Sequence, residues 1–269
     1  MYQYRTLEKE SIQQIAECFN LAFSDYEQPI CFTPESLKYY LTASRVDLSL
    51  SFGAFFKEEL VGIILNSYGI YNNEPAVFDA GAGVIPDHRS KKVFSNLLNY
   101  TCRQLQAKNI KKYYLEVLQS NNHAVSIYQM KGFSIQREYS VLTASGAVRS
   151  IHPDITTVPY QDFNVFPTTF STKPSFEHTL HAVNQNPHLY EVLTLNNLAY
   201  CIFAKRNGEI IQMHYNELNA LKEVMIALTD RFPSAMAKNV DYRYSDVIQM
   251  LTEIGFKEIT NQYEMARDI

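Results

Sequence analysis

The sequence has no excess of basic residues, no tryptophan and no long apolar run. Its net charge is −4 at pH 7, with a pI near 6.0. This argues against a dedicated nucleic-acid-binding protein, which needs a basic face to neutralise phosphates. No stretch approaches the roughly 20 apolar residues that a membrane span needs, and the N-terminus shows no apolar signal core. We therefore expect a cytoplasmic protein with no nucleic-acid or membrane partner.

Cysteine is scarce as well, and no two cysteines form a C-x-x-C pair. Four widely separated cysteines suit reduced thiols better than a disulfide framework. His178 and His181 lie three residues apart on a predicted helix, but no carboxylate or cysteine at a suitable spacing completes a metal site. The sequence therefore predicts no metal centre.

Apolar residues make up 46% of the chain, with 19 tyrosines and 16 phenylalanines. That fraction is typical of a folded globular protein. Each buried tyrosine hydroxyl needs a partner or a cleft, so we expect some of them to line a site. A chain of 269 residues is long enough for one large domain or two of ordinary size.

The second half of the chain repeats the element order predicted for the first: hairpin, strand, helix, strand, helix, Gly-Phe, strand. A weak sequence echo joins the segments around Gly132-Phe133 and Gly255-Phe256. Between the halves, Ala144 to Asp162 reads as a linker or a crossing strand. We therefore expect an α/β protein of two related domains, residues 1–145 and 146–269.

The stretch from Val77 to Phe133 contains the strongest functional signal. Its pattern predicts a strand, a basic turn that opens a helix, a second strand and a short helix. A helix N-terminus presents unpaired N–H groups and partial positive charge, so this turn can hold an anion. Gly81 and Gly83 do not complete a dinucleotide fingerprint, because Pro86 takes the place of its third glycine. We expect them to allow close backbone approach or a bulge.

This stretch resembles the GNAT superfamily of acetyl-CoA-dependent N-acetyltransferases. In that family a V-x-P strand end precedes an R/Q-x-x-G-x-G/A loop, and N-x-x-A, a tyrosine and Gly-Phe follow. The matching residues are Val84-Ile85-Pro86, Arg89, Asn121, Ala124, Tyr128 and Gly132-Phe133. The resemblance implies two GNAT-like domains, each a mixed, mostly antiparallel central sheet flanked by helices, the second one degenerate.

The resemblance also implies a site for acetyl-CoA as co-substrate, in which loop amides cradle the pyrophosphate. Two small positions of the family's loop fall on Lys92 and Phe94, which departs from the pattern. Lys92 could offer its own charge to a phosphate, and Phe94 could push the loop outward or turn into the core. The implied cofactor-binding residues are Gly83, Val84, Ile85, Arg89, Ser90, Lys91, Lys92, Val93, Phe94, Asn121, Ala124 and Tyr128.

For catalysis, the resemblance assigns the general acid to Tyr128 and an oxyanion donor to a backbone N–H near Val84. Asp79 is our preferred general base, with Glu116 and Asp25 as alternatives. The segment that contains Phe23, Asp25 and Tyr26 is expected to bind the acceptor.

The implied function is direct transfer of an acetyl group to a primary amine, expected to belong to a small molecule. A non-catalytic acyl-CoA or small-ligand binding module and the transfer of a longer acyl group are the alternatives. In the second domain Leu251 replaces the tyrosine acid and no V-x-P-x-x-R stretch is present. We expect that domain to be structural or to wall the acceptor cleft.

Overall fold

The computed structural model describes residues 1–26, 30–146, 154–164 and 171–269. In the first half, strands alternate with helices much as the sequence pattern predicts. The strands are β1 (Tyr2–Thr6), β2 (Phe52–Phe56), β3 (Glu59–Tyr71), β4 (Glu74–Val84), β5 (Lys112–Leu118) and β6 (Ser134–Ala144). The helices are α1 (Ile12–Ala22), α2 (Pro34–Ala43), α3 (Val93–Ala107) and α4 (Asn122–Met130).

The second half continues with further strands and three α-helices in the described residues. The strands are β7 (Ile155–Pro159), β8 (Tyr190–Leu195), β9 (Ala199–Ala204), β10 (Ile210–Tyr215), β11 (Met236–Asp241) and β12 (Phe256–Asp268). The helices are α5 (Leu180–Gln185), α6 (Leu218–Arg231) and α7 (Ser245–Glu253). Within the predicted linker, β7 is a strand, and residues 147–153 lie outside the described residues.

Contacts divide the chain into two compact units that exchange segments. Unit 1 comprises Met1–Leu115, Gln129–Ser134 and Ala266–Ile269, and unit 2 comprises Glu116–Tyr128 and Ile135–Met265. The predicted domains, residues 1–145 and 146–269, follow chain order only and do not contain this exchange. The assignment of two domains at that boundary stays a prediction.

Unit 1 has the strand order β1-β2-β3-β4-β5. Its neighbours are antiparallel except β4 and β5, which pair in parallel over Ala76–Asp79. Helix α1 packs on β3 and β4. A Cβ at Gly81 would lie 2.9 Å from Phe19, and one at Gly83 would lie 3.0 Å from Ala22. The two glycines therefore permit the close helix approach that the sequence indicated.

The starts of the first two helices follow directly from their sequences. Ser11 and Gln14 form a capping box on α1, and Thr33 and Ser36 form one on α2, where Pro34 takes the first helical position. These pairings satisfy backbone donors that a helix start leaves without partners. Helix α3 differs, because it begins at Val93 and its cap residue makes no side-chain hydrogen bond.

Unit 2 has the strand order β12-β6-β11-β10-β9-β8-β7. The pairs formed by β7, β8, β9 and β10 are antiparallel, as is β6 with β11, and β10 and β11 are parallel. Apolar faces of α6 and α7 form its main core with the strands. The predicted helix at Ser175–Val183 is interrupted, because Thr179 is extended and caps α5. The predicted fold class, a mixed and mostly antiparallel sheet with flanking helices, is confirmed.

Candidate active site

The connection from β4 to α3 adopts a backbone conformation that L residues seldom take. After Val84 a 3-10 turn covers Pro86–His88, and α3 starts at Val93. Ser90 and Lys92 each have a φ of 59°. The left-handed region costs a residue with a Cβ about 1–2 kcal/mol, so it persists where the surroundings hold it. The loop thus keeps a shape that glycine favours, although it contains no glycine.

The start of α3 has no side-chain cap. Ser11 and Thr33 cap α1 and α2, whereas the cap residue of α3, Lys92, makes no such hydrogen bond. The first N–H groups of a helix need acceptors from elsewhere, and they carry partial positive charge. An anion with several oxygens satisfies both conditions. The arrangement can therefore bind a phosphate or a carboxylate.

Lys92 is the available cation of this loop. Its side chain is exposed and has no partner among the residues that the structure describes. The ammonium of Lys91 donates to the carbonyl of Asp87 at 2.7 Å, and Nδ1 of His88 lies 2.8 Å from the hydroxyl of Tyr2. An incoming anion would therefore meet the charge of Lys92 before that of its neighbours.

Arg89, a predicted cofactor residue, is engaged elsewhere. Its guanidinium makes a bidentate ion pair with Asp25 at 2.6 and 2.8 Å, and it donates to the carbonyls of Ala22 and Val84 at 2.9 and 3.0 Å. The hydrogen bond from Arg89 lowers the pKa of Asp25, and Asp25 in turn raises the pKa of Arg89. Arg89 therefore joins the end of α1 to the end of β4.

Asp79, the preferred base, is buried on β4 beside a β-bulge. The β3–β4 register shifts by one residue there, which leaves Ala80 as the extra residue. The Asp79 carboxylate accepts from the N–H of Gly81 at 2.9 Å, and the Tyr40 hydroxyl donates to the carbonyl of Ala80. Bulges often redirect side chains next to active sites. Tyr40 is a contact that the sequence reasoning missed.

Opposite Asp79 on β3 lies Asn66, which the sequence reasoning also missed. Asn66 is fully buried, accepts from the hydroxyl of Tyr113 at 2.6 Å and donates to the carbonyl of Leu50 at 2.7 Å. The available signal was an asparagine directly after the apolar run of β3. A buried amide with both ends bonded fixes the local geometry of the sheet.

The predicted acceptor residues form part of an aromatic group at the end of α1. Phe23 stacks on Phe19 with ring centroids 4.4 Å apart, and it meets Tyr26 edge-on at 5.4 Å. Phe32 extends the group, at 5.1 Å from Phe19 and 5.1 Å from Tyr40. Phe23, Tyr26 and Phe32 are half-buried, so aromatic surface remains exposed near the ion pair.

The remaining loop residues anchor the backbone rather than project from it. Val84 and Ile85 are buried at the end of β4, and Val93 is buried at the start of α3. Phe94 is half-buried. In unit 1 the structure thus brings together the predicted acceptor residues, Gly83 to Ile85, and the loop from Arg89 to Phe94.

The predicted residues of α4 belong to unit 2. The Asn121 side chain accepts from the N–H of Ala124 at 3.1 Å, so these two residues form the cap of α4. This pairing accounts for the N-x-x-A spacing in physical terms. Tyr128 lies on the same helix and is largely buried. The acid role of Tyr128 and the cofactor roles of all three residues stay predictions.

Glu116, an alternative base, is held by a hydrogen-bonded partner in unit 2. The amide of Asn239 donates to both of its carboxylate oxygens at 2.9 Å. Burial raises the pKa of Glu116 well above its usual range. Asn239 has a φ of 62° at a register shift in β11. These contacts indicate a structural carboxylate, while the assignment of the base stays a prediction.

Neither a metal cluster nor a membrane-spanning helix occurs in the described residues. They contain no group of three or more histidine, cysteine, aspartate or glutamate side chains placed to hold a metal ion. Within the same ranges, no helix is both long enough and apolar enough to cross a membrane.

Residues 12–133 match the model of the acetyltransferase (GNAT) family, and no protein of curated function matches the chain. Solved structures share its fold. A Pyrococcus horikoshii protein assigned as an acetyltransferase has a TM-score of 0.71 at 11% identity, covering 100% of this chain and 89% of that one. A GCN5-related N-acetyltransferase from Sphaerobacter thermophilus has a TM-score of 0.67 at 10% identity, with coverages of 99% and 95%.

A third structure, a GCN5-related N-acetyltransferase from Anabaena variabilis, has a TM-score of 0.60 at 13% identity and covers 99% of this chain and 72% of that one. At such identities these likenesses show the fold alone. The family match covers the residues that contain β4, the α3 loop and α4. The segment 12–133, which carries the candidate site, therefore belongs to the acetyltransferase (GNAT) family.

Proposed function

We propose that this protein is an acetyl-CoA-dependent N-acyltransferase that acetylates a primary amine of a small molecule. The observation that carries the proposal is the uncapped start of α3, preceded by two left-handed residues, within the segment that matches the GNAT family. This backbone offers N–H groups to an anion at the place where the family binds its cofactor.

The residues present fit acetyl-CoA in charge and backbone shape. The N–H groups at the start of α3 and the ammonium of Lys92 would hold the pyrophosphate. Acetyl-CoA supplies a thioester whose carbonyl carbon an amine can attack. A backbone N–H near Val84 would stabilise the negative charge that develops on the carbonyl oxygen.

Two side chains would handle the protons of this reaction. An amine attacks only when it is neutral, so Asp79 would accept its proton, directly or through water. Tyr128 would donate to the leaving thiolate. The buried position of Asp79 beside the bulge at Ala80 suits the base role better than the exposed position of Asp25, whose carboxylate Arg89 holds.

The aromatic group around Phe23 and Tyr26 supports an acceptor that carries an apolar portion. Half-buried aromatic side chains bind such ligands through large contact areas. We propose a structural role for the second half of the chain, and a cytoplasmic location with no nucleic-acid partner remains a prediction.

Isothermal titration with acetyl-CoA and with CoA tests the proposal. We expect saturable binding of one CoA to each chain. A screen of primary amines, followed by detection of the free thiol, then tests transfer, and a panel of acyl-CoAs fixes the acyl length. Absence of binding at millimolar CoA would refute the proposed acyltransferase function. Binding without transfer to any amine would favour the non-catalytic binding module.

A further inference from the structure

We propose that Asp25 and Arg89 are positioning residues that fix the α3 loop, so that Asp25 governs the affinity for acetyl-CoA without touching it. This inference rests on the proposed function and names how its site is held in shape. The resemblance to the GNAT superfamily implies that Asp25 lies on the acceptor side and Arg89 on the cofactor side. The structure joins them in one bidentate ion pair.

The hydrogen-bonding capacity of Arg89 is nearly used up. A guanidinium has five N–H donors in a fixed fork. Arg89 donates to both carboxylate oxygens of Asp25 and to the carbonyls of Ala22 and Val84. One N–H remains, so a phosphate could gain a second hydrogen bond from this side chain only by displacing one of these acceptors. Arg89 therefore acts on an anion through the loop that it anchors.

The loop has a strained conformation that needs anchors on both sides. Ser90 and Lys92 are left-handed, and strain of this kind persists only when neighbouring structure imposes it. On one side Arg89 is fixed to α1 and β4, and on the other Val93 is buried at the start of α3. Without the first anchor, Ser90 and Lys92 would relax toward ordinary conformations. Their N–H groups would then no longer converge on one anion.

The contribution of Asp25 follows from geometry. Its carboxylate is exposed, yet both oxygens are directed at the Arg89 fork. The hydrogen bond from Arg89 lowers the pKa of Asp25, which makes this carboxylate a weaker proton acceptor. A base role therefore fits Asp25 poorly. An ion pair with a planar fork fixes orientation as well as charge.

The test compares Asp25→Asn and Arg89→Lys with the wild type. Asparagine keeps the size of Asp25 without its charge, and lysine keeps the charge of Arg89 without its fork. We expect each to weaken CoA binding about tenfold. The double variant should bind no more weakly than either single one, because both remove the same interaction. The loss should appear in the KM for acetyl-CoA, with the pH profile of kcat unchanged.

Glu58→Gln is the matched control, because Glu58 is another exposed carboxylate of unit 1 that pairs with an arginine, Arg5, at 3.1 Å. It should leave CoA binding unchanged. The proposal is overturned if Asp25→Asn binds CoA like the wild type. It is also overturned if this variant loses an ionisation from the pH profile of kcat, which would identify a base.

A second measurement needs no cofactor. Amide hydrogen exchange in the ligand-free protein should become faster in both variants at Arg89 and Asn96, whose N–H groups donate to the carbonyls of Pro86 at 3.1 Å and Lys92 at 3.0 Å, and unchanged exchange would overturn the proposal by itself. If the wild type binds no CoA while both variants still show this faster exchange, the proposed function is refuted and the anchoring role is kept. The two failures are therefore distinguishable.

Discussion

Among the described residues, β4 pairs in parallel with β5 and β10 with β11, and each pair is connected through a helix. The connections differ. Between β4 and α3 run a 3-10 turn and two left-handed residues, Ser90 and Lys92. The Lys92 side chain is exposed and has no partner among the described residues. Between β10 and α6 stand only Asn216 and Glu217, and Glu217 precedes the helix with a φ of −131°.

Backbone groups at the end of β10 are moreover already hydrogen-bonded to side chains of Ser171 and Thr172. The Ser171 hydroxyl bonds both the carbonyl and the N–H of Tyr215, at 2.7 and 3.2 Å, and Thr172 donates to the carbonyl of Met213 at 3.2 Å. A glutamate at the start of α6 repels an anion as well. The comparison teaches that the topology is repeated, whereas the capacity to bind an anion depends on the connection.

The largest expected effect concerns the second helix after each connection, α4 in one case and α7 in the other. Tyr128 on α4 and Leu251 on α7 each precede a Gly-Phe pair by the same spacing. If Tyr128 supplies a proton to the leaving thiolate, Tyr128→Phe should lower kcat about 100-fold and leave the Kd for CoA nearly unchanged. Steady-state kinetics and titration give the two values.

Tyr242→Phe is the control for this substitution. Tyr242 lies in unit 2, and its hydroxyl donates to Glu258 at 2.8 Å, so the variant loses a tyrosine hydroxyl that α4 does not carry. It should turn over like the wild type. An unchanged rate for Tyr128→Phe would exclude Tyr128 as the general acid. Tyr128 on α4 and Leu251 on α7 would then differ only in how they pack.

A smaller effect is expected from giving the first connection the charge of the second. Lys92→Glu places an acid at the start of α3, as Glu217 does at the start of α6. It should weaken CoA binding at least tenfold, because it removes a cation and adds repulsion at the proposed pyrophosphate site. Isothermal titration at two salt concentrations measures this, and added salt should reduce the difference.

Lys108→Glu provides the same change in net charge at the other end of the same helix. It should leave the affinity for CoA close to that of the wild type. Equal losses for the two variants would mean that overall charge, rather than the α3 loop, determines binding, and the contrast between the two connections would then have no functional meaning.

Local patterns were sufficient to predict much of this fold. Ser11 and Thr33 mark the starts of α1 and α2 in the sequence, because a capping box depends on residues only three positions apart. Gly81 and Gly83 indicated close packing because a missing side chain has few other uses in a strand. Lys92 gave no such signal through its residue type, since nothing in a lysine marks a left-handed conformation; only its place at a small position of the family's loop pointed to one. The conformation itself depends on the anchored ends of the loop.

The contacts that hold the site join distant residues, and periodicity does not report them. Arg89 and Asp25 lie 64 positions apart, and Asn239 and Glu116 lie 123 apart. Each residue could have been read as a ligand or a base from its type alone. Only packing shows that each carboxylate already has a partner, which changes what it can do for a substrate.

The smallest effect concerns this last carboxylate, and the sign of its pH dependence is fixed. Burial raises the pKa of Glu116 from 4.5 to about 8. Between these values the folded protein keeps a proton that the unfolded chain has released, so the free energy of unfolding should fall as the pH rises through this window. One such group contributes a slope of at most about 1.4 kcal/mol per pH unit.

Glu116→Gln should flatten the slope of the free energy of unfolding against pH, measured by urea unfolding between these pH values, whereas Glu8→Gln, at an exposed position, should not. Parallel slopes for Glu116→Gln and the wild type would show that Glu116 is ionised in the fold, which would restore it as a candidate base.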